Sequence, residues 1–372
     1  MIDALLTWLN DGSAANGRLP LTGGIVSGLY RNSSKVTLIL LDARGKPGAV
    51  AKATRRPSAE AALMAEYAAL KELTLAAPEA MVEAPAPIAL ERVDGHLVLV
   101  ESPLPGKPMT AGYYSPGHTS DPRRVEGDFR AAEEWLGKFQ RMTATSEVML
   151  DQSTMLACVD AVTARYRREI GWSDVEEELF TAVARRGLDF EGTALPLVGV
   201  HGDFWMGNLL MSEDRIGGVV DWELARLNGL PFRDIFKFPT SYGLYLDRAY
   251  PGNRGVVPGH ANWGRQSARW AEYGDWSNLP GFRYSYFEAG WFPELVREFI
   301  VRQFVRVGVP VGLVAVFFPL FLAEQAMTLD DPVFRDGYRA ALTAFWRERE
   351  STWLWSDDKA DLNVTALRRK DS

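Results

Sequence analysis

Val200-His201-Gly202-Asp203-Phe204-Trp205-Met206-Gly207-Asn208-Leu209-Leu210, followed downstream by Asp221-Trp222-Glu223, decides how this 372-residue chain is read. The apolar run Leu195–Val200 predicts a short buried strand that delivers His201 and Asp203. Asn208 follows five residues after Asp203. Asn208–Met211 and Ile216–Val220 predict a hairpin around Ser212-Glu213-Asp214-Arg215, which carries Asp221 to a strand end. Phosphoryl transfer requires this layout. One carboxylate faces an attacking hydroxyl, and an amide oxygen and a second carboxylate on adjacent strands share magnesium. His-x-Asp alone is no more than a polar turn beside a buried histidine, so Asn208, Asp221 and the strand context carry the reading.

Working outward, Val50-Ala51-Lys52-Ala53 places a lysine inside a short apolar strand, where a charge is costly unless paired. Ser58–Leu75 predicts the next helix, with Ser58 as its cap and Ala62, Leu63, Tyr67, Leu70 and Leu73 at helical spacing. Its Glu60, Glu66 and Glu72 are possible partners for Lys52, and Glu66 is preferred for its mid-helix position. Val36–Leu41 and Ala49–Ala53 predict one hairpin, and Leu90–Glu101 a second that turns at Asp94-Gly95. Pro103-Leu104-Pro105-Gly106 reads as a stiff connector. The expected organisation is therefore residues 1–103 as a nucleotide-binding lobe and 104–372 as a catalytic and substrate-binding lobe. After the connector the pattern turns helical: Phe129, Trp135, Leu136, Phe139 and Met142 share a face, and helices are expected over 151–170, 174–187 and 293–350. A small sheet with one helix, followed by a mostly helical half, is an α+β order. Residues 240–292 are rich in Tyr, Trp, Gly and Pro without a clear period, and form a candidate acceptor-side insert.

Bulk properties exclude several classes. Net charge is −7, against the basic surface that nucleic acid requires. With Cys158 as the only cysteine there is no intramolecular disulfide and no cysteine-based zinc site, which fits a reducing, cytoplasmic setting. The opening MIDALLTWLNDG lacks the basic region and long apolar run of a signal peptide. Val307–Leu322 is interrupted by Pro310 and Pro319 and predicts a buried helix, not a transmembrane segment. Nothing in the sequence indicates an oligomeric state.

The motifs VHGDFWMGNLL, GGVVDWELARLNGLPFRD and the AVAK strand with its Glu66 helix resemble the aminoglycoside phosphotransferase and choline kinase-like family over roughly residues 20–240. The resemblance implies a protein-kinase-like two-lobe fold, with a small N-terminal sheet lobe and a larger helical C-terminal lobe. It implies Asp203 as the catalytic carboxylate, with His201 supporting the metal-binding turn. It implies Asn208 and Asp221 as magnesium ligands, Lys52 as the phosphate-binding lysine and Glu66 as its partner. Asp234 and Glu223 would be structural supports. Magnesium and ATP, or GTP, would be required, and the acceptor would be a hydroxyl on a small molecule such as a sugar or amino sugar. The chain departs from the pattern in two places. It has no G-x-G-x-x-G, so a phosphate loop has to come from Gly23, Gly24, Gly28 and the Asn32-Ser33-Ser34-Lys35 turn, with Ser33 and Ser34 as candidate contacts; a plain hairpin turn fits equally. At the hinge, Glu101-Ser102 leads into Pro103, which has no N–H, so Ser102 or Leu104 would supply the donor to the base.

Three alternatives fit the residues less well. A protein kinase needs room for an activation segment, but ten residues separate Glu223 from Asp234, and Trp205 stands where those enzymes carry lysine. An inactive kinase-like binding or scaffold protein predicts a lost catalytic or metal residue, and none is missing. A metal hydrolase lacks histidine partners at ligand spacing. The aromatic residues of 240–292 either stack on an acceptor or pack the helical half.

Overall fold

The structure is a computed structural model that describes residues 2–11, 21–27, 35–244, 246, 279–328 and 331–355. Helix α1 (Ile2–Asp11) precedes β1 (Leu21–Ser27), β2 (Lys35–Asp42) and β3 (Pro47–Thr54). Then come α2 (Glu60–Ala76), β4 (Pro87–Val93), β5 (His96–Glu101) and the two-residue β6 (Lys107–Pro108). These lead to α3 (Met109–Tyr113), α4 (Pro122–Thr143), β7 (Ser146–Leu150), α5 (Gln152–Glu169), α6 (Asp174–Leu188) and β8 (Thr193–Val200). The short strands β9 (Leu209–Ser212), β10 (Arg215–Val219) and β11 (Arg226–Gly229) follow. The chain closes on α7 (Phe232–Leu244), α8 (Leu279–Phe287), α9 (Trp291–Arg306), α10 (Val314–Thr328) and α11 (Pro332–Arg347).

Two compact units result: residues 1–109 with 199–229, and residues 110–198 with 230–372. The sequence predicts a single boundary at 103/104, whereas residues 199–229 pack with the N-terminal unit. The reason is a set of long-range backbone ties. The Val219 N–H donates to Glu83 O at 2.7 Å, β6 pairs with β9 through Lys107 and Met211, and the Trp222 N–H donates to Glu66 Oε1 at 3.0 Å.

The first unit is built on a five-stranded antiparallel sheet in the order β1-β2-β3-β5-β4. Side chains alternate across a strand with period two, and β5 uses both faces. Val98 and Val100 join Leu38, Leu40, Ala51 and Ala53 in a core that also buries Leu5 and Leu9 of α1. Leu97 and Leu99 turn the other way, onto Leu63 of α2. Lys52 lies between Ala51 and Ala53 in β3 and opposite Leu99, so parity directs it to the α2 face. The expected cap at Ser58 is not formed. Pro57–Ala59 is a tight 3-10 turn that draws Ser58 into its interior, and α2 begins after it without a side-chain cap.

The second unit is helical. Asp121 caps α4 by accepting from the Arg123 N–H, and Phe129, Trp135, Leu136 and Phe139 are buried along it, with Met142 half-buried. The expected apolar helix is α10, displaced toward the C-terminus and preceded by a short turn at Val311–Leu313. Val311–Thr328 is long and apolar enough to cross a membrane by composition, and 72% of it is buried inside the protein. Of the expected insert, residues 245 and 247–278 lie outside the described residues. Its two ends are helical, formed by the last turn of α7 and by α8, which bury Tyr242, Tyr284 and Tyr286 as packing residues. Glu288 pairs there with Arg283.

Candidate active site

The loop after β8 is shaped by one glycine. Gly202 has φ +84°, and a Cβ there would lie 2.4 Å from the Leu224 carbonyl oxygen, so no other residue fits. His201 is fully buried. Its Nε2 faces Val220 O at 3.0 Å, and its Nδ1 accepts the Asp203 N–H at 3.2 Å. Both ring nitrogens are thus engaged in holding the loop against the segment that leads to Asp221, leaving none for proton abstraction. The ring also packs edge-on against Trp222, with centroids 4.7 Å apart.

Asp203 is half-buried. Asn208 donates its amide to Asp203 Oδ2 at 3.1 Å and to Asp203 O at 3.0 Å. That orientation directs the Asn208 carbonyl oxygen away from Asp203. The Asn208 backbone oxygen accepts the Val220 N–H at 3.0 Å, which joins the loop to the hairpin. Asp221 then adopts φ +69°, a left-handed conformation that aspartate tolerates better than most residues. The turn is held by the Trp222 indole, fully buried, whose Nε1–H donates to Val219 O at 2.8 Å.

Lys52 and Glu66 come together in the same unit. Glu66 is fully buried in α2; its Oε1 contacts Lys52 Nζ and accepts the Trp222 N–H. Glu60 instead pairs with Arg92 on the surface. Glu101 lies at the end of β5 on the same face and approaches Lys52 Nζ at 3.2 Å. Burial drives the Glu101 carboxyl up to about 7, against the pull of the Lys52 ammonium. For Lys52, burial favours the neutral amine, but Glu66 and Glu101 outweigh it and hold the ammonium form.

Lys35 is the residue whose place the sequence reading missed. It opens β2, and its Nζ lies 3.2 Å from Asp221 Oδ1 and in contact with Glu223 Oε2. Burial would raise the Asp221 pKa, yet Lys52 and Lys35 hold it below its ordinary value. Glu223 is pushed up by burial and by Asp221. Strand parity was the available signal. Thr37 pairs with Lys52 and Lys35 with Thr54, which puts both lysines on one face of the sheet.

Other expected positions are placed differently. The Ser102 N–H is already given to Ala86 O at 2.9 Å, and Ser102 Oγ accepts the Ala86 N–H at 2.8 Å, so the Ser102 backbone N–H is spent as a donor to a base and only its hydroxyl hydrogen is left to donate. Ser33 and Ser34 lie outside the described residues. Asp234 is fully buried in the first turn of α7, in the helical unit. That unit also carries a cleft of about 510 Å³ lined by Glu126, Glu134, Glu294, Glu298 and Trp291, which contains none of the residues above.

Asn208 and Asp221 suit magnesium. An amide oxygen and a carboxylate held ionised are hard oxygen donors, and magnesium characteristically takes one or two protein oxygens alongside phosphate. Among the described residues there is no group of three or more His, Cys, Asp or Glu side chains arranged for a metal.

The chain matches the Phosphotransferase enzyme family (APH) over residues 32–264. It is similar to a solved structure of a thermostable mutant of aminoglycoside phosphotransferase APH(4)-Ia, a ternary complex with AMP-PNP and hygromycin B. Identity is 13%, the TM-score is 0.51, and the likeness covers 94% of this chain and 99% of that one. Macrolide 2'-phosphotransferase MphH from Brachybacterium faecium is also similar, at 17% identity and TM-score 0.43, over 92% of this chain and 98% of that one. No curated protein matches the chain.

Proposed function

The chain belongs to the phosphotransferase enzyme family and is a small-molecule kinase, and we propose that it moves the γ-phosphoryl group of ATP, with magnesium, to a hydroxyl of a sugar, amino sugar or aminoglycoside-like compound. One observation carries the reading. The His201–Asn208 loop and the Asp221 turn are tied to the Lys52–Glu66 pair inside a single compact unit. In this reading a catalytic carboxylate, two hard oxygen ligands and a phosphate-binding cation belong to one compact unit.

In this reading Asp203 orients the acceptor hydroxyl and accepts its proton as the acceptor oxygen bonds to the γ-phosphorus. The bond from that phosphorus to the bridging oxygen breaks, and the electron pair leaves with ADP. Asn208 and Asp221 would hold magnesium, which supplies charge neutralisation at the phosphates. Lys52, kept charged by Glu66 and Glu101, grips the phosphates. With the Ser102 N–H engaged by Ala86, the backbone donor at the hinge is the Leu104 N–H. ATP is the first nucleotide to test, since a structure of similar fold holds AMP-PNP, and GTP the second. An amino-bearing acceptor suits the net charge of −7. The single cysteine agrees with residence in the cytoplasm.

The test is a nucleotide-consumption screen across sugars, aminoglycosides, amino alcohols and nucleosides, run beside Asp203→Asn. The variant should keep its nucleotide affinity and lose kcat by about 10²–10⁴-fold, the range a positioned general base contributes. Near-wild-type turnover in Asp203→Asn would reject Asp203 as the catalytic carboxylate.

A further inference from the structure

Four acidic and two basic side chains converge beside the Asp221 turn, and they divide into two sets. Lys52 takes Glu66 and Glu101. Lys35 takes Asp221 and Glu223. The second set is not part of the His201–Asn208 motif or of the strand–helix lysine pair. It joins residues 186 positions apart, and Lys35 is mostly buried, with 17% of its side chain exposed. An ammonium in that place occupies the carboxylates that a divalent cation would approach.

We propose that Lys35 is the resting counter-ion of the Asp221 metal carboxylate: its ammonium holds Asp221 and the neighbouring Glu223 while no nucleotide is bound, and transfers to the nucleotide phosphates when they arrive. The proposal rests on reading Asp221 as a metal ligand. Its physical basis is like-charge repulsion. A divalent cation entering alone would sit beside an ammonium already in contact with the same carboxylate, in a partly buried site where charges are weakly screened. A nucleotide removes that conflict, because its phosphates accept the ammonium and the cation together. Lys35 therefore makes metal loading depend on nucleotide. It also offsets the mutual repulsion of the half-buried Asp221 and Glu223 carboxylates. Parity in β2 fixes this geometry, since Lys35 and Lys52 project from the same sheet face.

The experiment measures Mn²⁺ binding to the full chain without nucleotide, by calorimetry or by the loss of the free-ion spin-resonance signal. It compares wild type with Lys35→Met, Lys35→Gln and Lys35→Arg, each checked for folding by thermal melting. The two neutral variants should bind Mn²⁺ alone at least about tenfold more tightly than wild type, because a like charge has been removed. Lys35→Arg, which keeps the charge, should stay near wild type. ADP affinity in the presence of Mg²⁺ should fall in Lys35→Met and Lys35→Gln. Should Lys35→Met not fold, Lys35→Gln carries the comparison. Wild-type Mn²⁺ affinity in the folded neutral variants would overturn the proposal. Adding Asp221→Asn to Lys35→Gln separates the two readings. Loss of the gained affinity supports both, whereas its persistence would show that the cation is not on Asp221 and would overturn the metal assignment itself.

Discussion

Glu66 and Glu101 share one ammonium, and each leaves an oxygen, Glu66 Oε2 and Glu101 Oε1, without a hydrogen-bond partner among the described residues. Two buried carboxylates exceed the charge that Lys52 supplies, and Glu101 is the one whose proton affinity rises, to about 7 from an ordinary value of 4.5. A carboxyl that binds its proton more tightly when folded stabilises the protein below its unfolded pKa. That stability is lost as the pH rises through the folded pKa, here over the window from 4.5 to about 7. Glu101→Gln imitates the protonated form. Its stability relative to wild type should therefore improve as the pH rises from about 4.5 to about 7, by on the order of 3 kcal/mol, as measured by denaturant unfolding at each pH. A difference that ignores pH would show that Glu101 is ionised throughout. The residue itself was visible in the sequence as the end of a strand before a hinge. Its direction follows from the Leu97, Leu99, Glu101 alternation, which says only that it faces α2, not that it finds a lysine there.

Among the elements, α7 and α8 show why part of the fold was hidden. Both are buried on nearly every face; α8 accordingly carries no apolar–polar period, and only the last turn of α7 falls within 240–292, too short to show one, so the stretch reads as aperiodic. α10 is buried in the same way and reads only as an apolar run. The α7–α8 contact depends on small residues. A Cβ on Gly243 would lie 2.0 Å from Ser285 Oγ, and one on Gly281 would lie 2.3 Å from Gly243 O. Ser285 Oγ cannot simply swing away, because it is fully buried and donates to Gly281 O at 2.8 Å. Gly243→Ala should cost about 1–3 kcal/mol through overpacking. Gly127→Ala in α4 is the control: nothing lies within 4 Å of its Cβ position, and the change should be neutral or stabilise by about 0.5–1 kcal/mol. Unfolding curves that place the two variants together would show that the crossing is not tight. Amphipathic α4, by contrast, was legible from Phe129, Trp135, Leu136 and Phe139, since one of its faces meets solvent.

For the molecule as a whole, the interleaving of residues 1–109 with 199–229 has a direct consequence. An isolated 1–109 segment would lose the Trp222 N–H from Glu66, the Val219 N–H from Glu83 and the carboxylates from Lys35. It would also lose β9 as the partner of β6. We expect that fragment to lack stable protection of the β3 and β5 amides in hydrogen exchange, although its length alone would allow a domain. Amides in β3 and β5 protected to the level of the full chain would show that the sheet needs nothing from 199–229.

What is local was legible in the chain. Short apolar runs predict β2 and β3, short turns predict the hairpins, and the spacing of His201, Asp203, Asn208 and Asp221 points to phosphoryl transfer, because strands, turns and a loop motif are encoded within about twenty residues. What is distant was settled by folding. It gave Ser102 to Ala86, Lys35 to Asp221 and Glu223, and 199–229 to the N-terminal unit. Each is a choice among partners of similar chemistry separated by up to 188 positions. Burial, which raises the cost of an unpaired charge or N–H, makes that choice only once the chain has closed around it.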